Sequence, residues 1–185
     1  IDEFKRVNDT LGHEAGDEAL LQFAQRIGAV VAQDGGSETQ LARFGGDEFV
    51  ILIGHDAGKV EGMATAVAKR LVEELSRPLQ VQGREIFLGS SIGITLFPED
   101  AADATGLLKN GDIAMYQAKM AGKNCFRYYS RALDHAVERR LHMEQELRGA
   151  WERGELRLVY QPIFRTHDRV LAGVEVLLRW QHPEL

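Results

Sequence analysis

The sequence predicts an α+β fold, one antiparallel-containing sheet covered by helices, and three observations carry that reading. Three stretches place apolar residues at helical spacing, short β-prone runs lie between them, and glycines punctuate the joins. The centrepiece is Arg43-Phe44-Gly45-Gly46-Asp47-Glu48-Phe49, flanked by Leu41–Phe44 and by the apolar run to Ile53. Two short strands joined through glycines read as a hairpin, because glycine reaches positive φ without steric cost.

The remaining elements follow in order. Residues 1–9 run directly into a turn region, Thr10 to Gly16, and acids then open a helix from Asp17 to about residue 33, with Leu20, Phe23, Ile27 and Val30 along one face. A second helix is expected from Val60 to about Ser76 through Val60, Met63, Ala64, Val67, Leu71 and Leu75, with Pro78 beyond its end. Leu79–Val81 and Glu85–Phe87 read as a small hairpin around Gln82-Gly83-Arg84, and Ser91–Leu96 as a strand stopping at Pro98. Ala104–Ala121 is helical through Leu107, Leu108, Ile113, Met115 and Ala118, and Gly122 supplies a C-terminal cap. Cys125–Tyr129 is the last strand of this unit, and Phe23, Met63 and Met115 are expected in its core. Residues 131–154 change character: charges crowd around a thin apolar line of Val137, Leu141, Leu147 and Trp151, which suits an interdomain helix. Two strands, Leu156–Phe164 and Val170–Leu178, follow.

Composition narrows the function. At 185 residues the chain holds one core-bearing domain and part of another. The net charge of −6, with both signs interspersed and no basic tract, argues against sequence-independent nucleic-acid binding. No stretch is long and apolar enough to span a membrane, and no signal peptide opens the chain. The single Cys125 rules out an internal disulfide, fits a reducing compartment, and reads as a small core residue. Asp47 and Glu48 are adjacent carboxylates at the hairpin, and neighbouring strand residues face opposite ways, so the two acids cannot do one job. Hard oxygen ligands beside glycines suit Mg²⁺ carried on phosphates; taken alone, the heptapeptide fits a solvated acidic tip equally well.

With these residues laid out, residues 1–129 resemble the GGDEF domain of the diguanylate cyclase family, through FKRVNDTLGHEAGDEAL, RFGGDEF and DIAMYQAKMAGKN, in that order. Residues 155–185 resemble the opening of an EAL domain, the cyclic di-GMP phosphodiesterase family, through YQPIF, Glu175-Val176-Leu177, Leu178-Arg179-Trp180 and Gln181-His182-Pro183. The resemblance implies a sheet like that of nucleotidyl cyclases and polymerase palms in residues 1–130. A linker helix over 131–154 and the first two strands of a truncated TIM-like barrel over 155–185 would follow. It further implies a cytoplasmic homodimer that joins two GTP into cyclic di-GMP with Mg²⁺ or Mn²⁺, and it is compatible with a parent chain anchored to a membrane through an upstream segment. No nucleic-acid partner and no membrane contact from these residues is expected.

By position, the resemblance makes Asp47 a metal-binding carboxylate and proton acceptor, Glu48 its partner acid, and Lys5 a phosphate cation. Ile1 would lend its backbone carbonyl to the metal. Asn8, His13, Asp17, Gly45 and Gly46 would hold GTP, and Lys119 and Lys123 would meet the phosphates. Taken singly, Asn8 also fits a turn former, Asp17 a helix N-terminal acid, and the lysines a helix C-terminus; together, in this spacing, they point to one site. In the EAL portion Glu175 would bind metal, with Val176 where that family has Ala, while Gln161 and Arg179 would touch cyclic di-GMP.

Three departures from the family pattern matter. The other metal-binding Asp and its central strand would directly precede Ile1, so these 185 residues alone are expected to be inactive. The product-inhibition motif RxxD is replaced by Gly36-Ser37-Glu38-Thr39. Lys123 stands where Arg is frequent, keeping charge but losing bidentate geometry. The EAL portion lacks further metal-binding acids and is expected to be incomplete. Two readings remain in view: a catalytic cyclase in a tandem GGDEF–EAL signalling protein, or a GTP-binding regulatory unit that controls the EAL phosphodiesterase.

Overall fold

A computed structural model describes residues 1–36, 38–54 and 58–183, with the side chains of 132–141 outside the description. The chain divides into two compact units, Ile1–Asp134 and His135–Leu185.

The first unit opens with α1 (Phe4–Leu11), which the sequence reading had not assigned as a helix. At eight residues it is shorter than the window in which helical periodicity becomes legible. Phe4 and Val7 nevertheless bury one face. Gly12, at φ 88°, then makes the break that a Cβ would oppose. The helix expected from Asp17 therefore starts four residues earlier, as α2 (His13–Asp34), and the expected turn through Gly16 shrinks to Gly12. Leu20, Phe23, Ile27 and Val30 form its buried face, as their spacing requires.

The central hairpin pairs β1 (Thr39–Gly45) with β2 (Glu48–Ile53) antiparallel, in register from Thr39↔Ile53 to Arg43↔Phe49. The register slips between Arg43 and Gly45, so Gly45 pairs with Glu48 and the turn residues are Gly46 and Asp47, rather than Gly45 and Gly46. Helix α3 (Val60–Leu75) follows, then β3 (Leu79–Val81) and β4 (Arg84–Ile86). The turn between β3 and β4 is two residues, Gln82 and Gly83, both at positive φ, which matches the twist of a tight hairpin. Strand β5 (Ser91–Ile94) runs parallel to β6 (Cys125–Tyr128), with α4 (Ala104–Met120) as the crossover.

The expected single sheet resolves instead into separate two-stranded pairs. Sheet continuity needs strands about 4.8 Å apart, and among the described residues no strand lies hydrogen-bonded between the β1–β2 and β5–β6 pairs. Only an isolated bridge, Asp2↔Gly89, reaches toward β5.

The main core joins α1, α2, α3 and β3 around Phe23, Leu79 and Val81, all fully buried. Met63 and Met115, expected in the core, are half-buried, and of the two Met63 packs against the main cluster. Leu108, expected on the buried stripe of α4, is 40% exposed. A Cβ on Gly93 of β5 would lie 2.6 Å from the Met115 backbone nitrogen, so β5 and α4 approach closely at backbone level. The residues α4 buries fully are small, Ala114 and Ala118.

Helix α5 (Arg131–Ala150) spans the division between the units. In the second unit β7 (Leu156–Phe164) and β8 (Leu171–Trp180) form an antiparallel hairpin, and no closed barrel forms among the described residues. The Val137 and Leu141 side chains of the charged seam lie outside the description, as does Ser37 within Gly36–Thr39.

Candidate active site

The turn residue Asp47 meets the start of the chain. The Ile1 backbone nitrogen donates to the Asp47 carbonyl at 3.0 Å and stands 3.7 Å from Asp47 Oδ2. Arg43 stiffens the tip: its guanidinium donates through Nε (2.9 Å) and Nη2 (2.6 Å) to the Gly46 carbonyl. The sequence reading left Arg43 without a role; its position at the head of the heptapeptide was the available signal.

Beside the hairpin a cavity of about 300 Å³ is lined by Asp17, Leu20, Leu21, Ala24, Arg43 and Phe49. It is an open, largely apolar depression to which Asp17 adds one carboxylate and Arg43 one guanidinium. Asn8, half-buried near the end of α1, packs its amide against Gly16 of α2: a Cβ there would fall within 3.0 Å of Asn8 Cγ and closer still to Oδ1. Lys5 and His13 are exposed and line neither this cavity nor the next.

The second cavity, about 140 Å³, is lined by Asp2, Glu3, Phe87, Leu88, Gly89, Lys123 and Asn124. Lys123 pairs with Glu3 at 2.8 Å; this hydrogen bond raises the lysine pKa and lowers that of Glu3, both at the surface. Asp2 is 5% exposed, a buried carboxylate that the sequence reading missed, since beside Glu3 it looks like any surface acid.

Among the described residues no group of three or more His, Cys, Asp or Glu is placed to hold a metal. At the hairpin, Asp47 and Glu48 offer hard carboxylate oxygens, the donor type that Mg²⁺ carried on phosphates takes from a protein in ones or twos.

In the second unit Gln161 and Glu175 are direct partners across β7 and β8. Arg179 lies four residues on from Glu175, so the strand period of two puts all three candidates on one face. Below them Glu155 accepts from Arg153 (2.6 and 3.0 Å) and from Trp180 Nε1 (2.9 Å), which lowers its pKa to about 2. Among the described residues no helix is long and apolar enough to cross a membrane.

Residues 1–125 match the family model described as diguanylate cyclase, GGDEF domain, and residues 144–185 match that of the EAL domain. The chain is 40% identical over 185 residues to the bifunctional diguanylate cyclase/cyclic di-GMP phosphodiesterase MucR of Pseudomonas aeruginosa. It is 37% identical over 183 residues to the cyclic di-GMP phosphodiesterase NbdA of the same organism. These matches cover 100% and 99% of this chain but only 26% and 22% of those relatives. Among solved structures, the GGDEF domain of TpbB (YfiN) from Pseudomonas aeruginosa superposes with a TM-score of 0.66 at 32% identity, over 74% of this chain and 77% of that one. Fold, motif order and family match agree: the chain belongs to the diguanylate cyclase, GGDEF domain family, with the beginning of an EAL domain after it.

Proposed function

We propose that residues 1–130 are the catalytic GGDEF unit of a tandem GGDEF–EAL protein, condensing two GTP into cyclic di-GMP. The observation that carries this reading is the approach of Asp47, at the turn of the hairpin, to Ile1, whose backbone nitrogen donates to the Asp47 carbonyl at 3.0 Å. In the reaction the 3′-hydroxyl of each GTP attacks the α-phosphate of the other, and each P–O bond formed releases pyrophosphate. Two domains, each holding one GTP, must therefore face each other, so the active species is a homodimer.

Asp47 and the Ile1 carbonyl would hold Mg²⁺ or Mn²⁺, which supplies charge neutralisation on the phosphates. Asp47 accepts the proton of the attacking hydroxyl, and Glu48 is its partner acid. Lys5, Lys119 and Lys123 meet the phosphates. Asn8 and Asp17 read the guanine edge, since an ionised carboxylate accepts from ring N–H and amino groups, and the apolar slot beside Asp17 takes the base. His13 helps to hold GTP from outside the slot, while Gly45 and Gly46 keep the turn open to the nucleotide. In the EAL portion Glu175 would bind metal and Gln161 and Arg179 cyclic di-GMP, on the one face they share.

A second reading is favoured by the relative NbdA, named as a phosphodiesterase: the GGDEF unit binds GTP without turnover and regulates the EAL unit. The test uses the full-length protein in a Glu175→Ala background, incubated with GTP and Mg²⁺, with cyclic di-GMP read by chromatography. Product that vanishes in Asp47→Ala and Glu48→Ala variants supports the cyclase. Absence of product, with saturable GTP binding that alters cyclic di-GMP hydrolysis by the Glu175-containing protein, supports the regulatory unit. Absence of both refutes both readings.

A further inference from the structure

Asp2 is buried at 5% exposure, yet it is fully engaged. Its backbone N–H donates to the Gly89 carbonyl at 2.9 Å. Its Oδ1 accepts from Ser91 Oγ at 2.7 Å, and its Oδ2 accepts from the Asn124 backbone N–H at 3.0 Å. One side chain therefore joins three segments distant in sequence: the start of the chain, the entry to β5, and the turn after α4. That turn is conformationally costly. Gly122, Lys123 and Asn124 have φ of 112°, 64° and 45°, and two consecutive non-glycine residues in the left-handed region persist only where surroundings hold them. The holding contacts are the Lys123 N–H to the Ala118 carbonyl at 3.1 Å and the Asn124 N–H to Asp2. Gly89 leaves the room, since a Cβ there would lie 3.1 Å from Asn124 Oδ1 and 3.3 Å from Asp2 Oδ2.

We propose that Asp2 is a positioning residue for the phosphate end of the site, acting through the Gly122–Asn124 turn to set where Lys123 presents its ammonium group. The inference rests on the GTP-binding reading above. Glu3, adjacent to Asp2, pairs with Lys123 at 2.8 Å, which keeps the ammonium beside the segment that Asp2 anchors. Loss of the Asp2 carboxylate frees the Asn124 N–H and lets the turn relax toward ordinary φ values, carrying Lys123 away.

The test measures binding of GTP and of guanosine to full-length wild type and to Asp2→Ala, Asp2→Asn, Lys123→Ala and the double variant Asp2→Ala/Lys123→Ala. Asp2→Ala is expected to weaken GTP about tenfold, the scale of one lost charge-assisted contact, and to leave guanosine unchanged. Asp2→Asn is expected to recover most of the affinity, because the amide oxygen can still accept from Asn124 while its NH₂ donates to Ser91. In the Lys123→Ala background Asp2→Ala is expected to cost nothing further. Should Asp2→Ala unfold, Asp2→Ser, with a hydroxyl too short to satisfy both donors, carries the same expectation. Equal losses for GTP and guanosine, or additive losses in the double variant, overturn the inference by making Asp2 merely structural. Wild-type affinity for GTP in every Asp2 variant also overturns it while leaving the GTP-binding reading standing. A wild type that binds no GTP removes that reading and this inference together.

Discussion

Gly16→Ala separates stability from nucleotide recognition. Gly16 lies in the first turns of α2, where alanine favours the helix by about 1 kcal/mol. Its new Cβ, however, would lie 3.0 Å from Asn8 Cγ, overlap Oδ1, and approach Phe4 Cζ to 3.3 Å. The Asn8 amide is the end of a short side chain and can rotate out, at about 0.5–1.5 kcal/mol if it leaves a rotamer well. The two effects nearly cancel, so the unfolding free energy should change by less than about 1 kcal/mol. On the GTP-binding reading proposed above, the displaced amide would, by contrast, forfeit its bonds to the guanine edge. Two neutral hydrogen bonds are worth about 1–3 kcal/mol, which lowers GTP affinity by roughly 5- to 150-fold. The assay pairs denaturant unfolding without nucleotide with calorimetric titration of GTP. Gly28→Ala is the control, on the same helix with nothing within 4 Å of its Cβ, and should leave GTP binding unchanged. Unaltered GTP affinity in Gly16→Ala would refute the seating of Asn8 by Gly16, and so would a loss matched by several kcal/mol of destabilisation.

Three further outcomes follow from the packing. Gly93→Ala drives a Cβ into the backbone of α4, 2.6 Å from the Met115 nitrogen and 3.0 Å from the Gly111 carbonyl carbon, so chemical denaturation should show a loss of about 3 kcal/mol or more. Arg26 of α2 donates to the carbonyls of Glu74, Arg77 and Pro78 at 3.1, 2.7 and 2.7 Å, satisfying the end of α3. Arg26→Ala should cost about 2 kcal/mol, and Arg26→Lys should restore only part because one ammonium cannot span three acceptors. Glu155 has a folded pKa near 2, below its unfolded value. Its stabilisation is therefore complete above the usual carboxylate range and is lost as pH falls from about 4.5 toward 2. Unfolding midpoints of Glu155→Gln should be flatter than those of wild type across that window; parallel curves would count against the Arg153–Glu155–Trp180 contact.

Sequence alone was sufficient for what depends on neighbours along the chain. The stripe of Leu20, Phe23, Ile27 and Val30 and the paired runs around Arg43–Phe49 carry their own periodicity, and the glycine after α4 carries its own cap. The ordered motifs were enough to place the chain in its family. Contacts between distant residues were not legible in this way. An eight-residue helix is too short for its period to register, so α1 was missed and the start of α2 misplaced. The turn slipped one residue onto Gly46 and Asp47, because a register shift depends on the partner strand. Leu108 is 40% exposed although the stripe on α4 placed it inside, while the close backbone approach of Gly93 to Gly111 and Met115 is a contact no single-helix pattern contains. Asp2 reads as one more surface acid until Ser91 and Asn124, 89 and 122 residues away, are seen to donate to it. Local propensity and patterning fix which elements form; how closely their backbones approach, and which polar groups are buried together, is decided only when those elements pack.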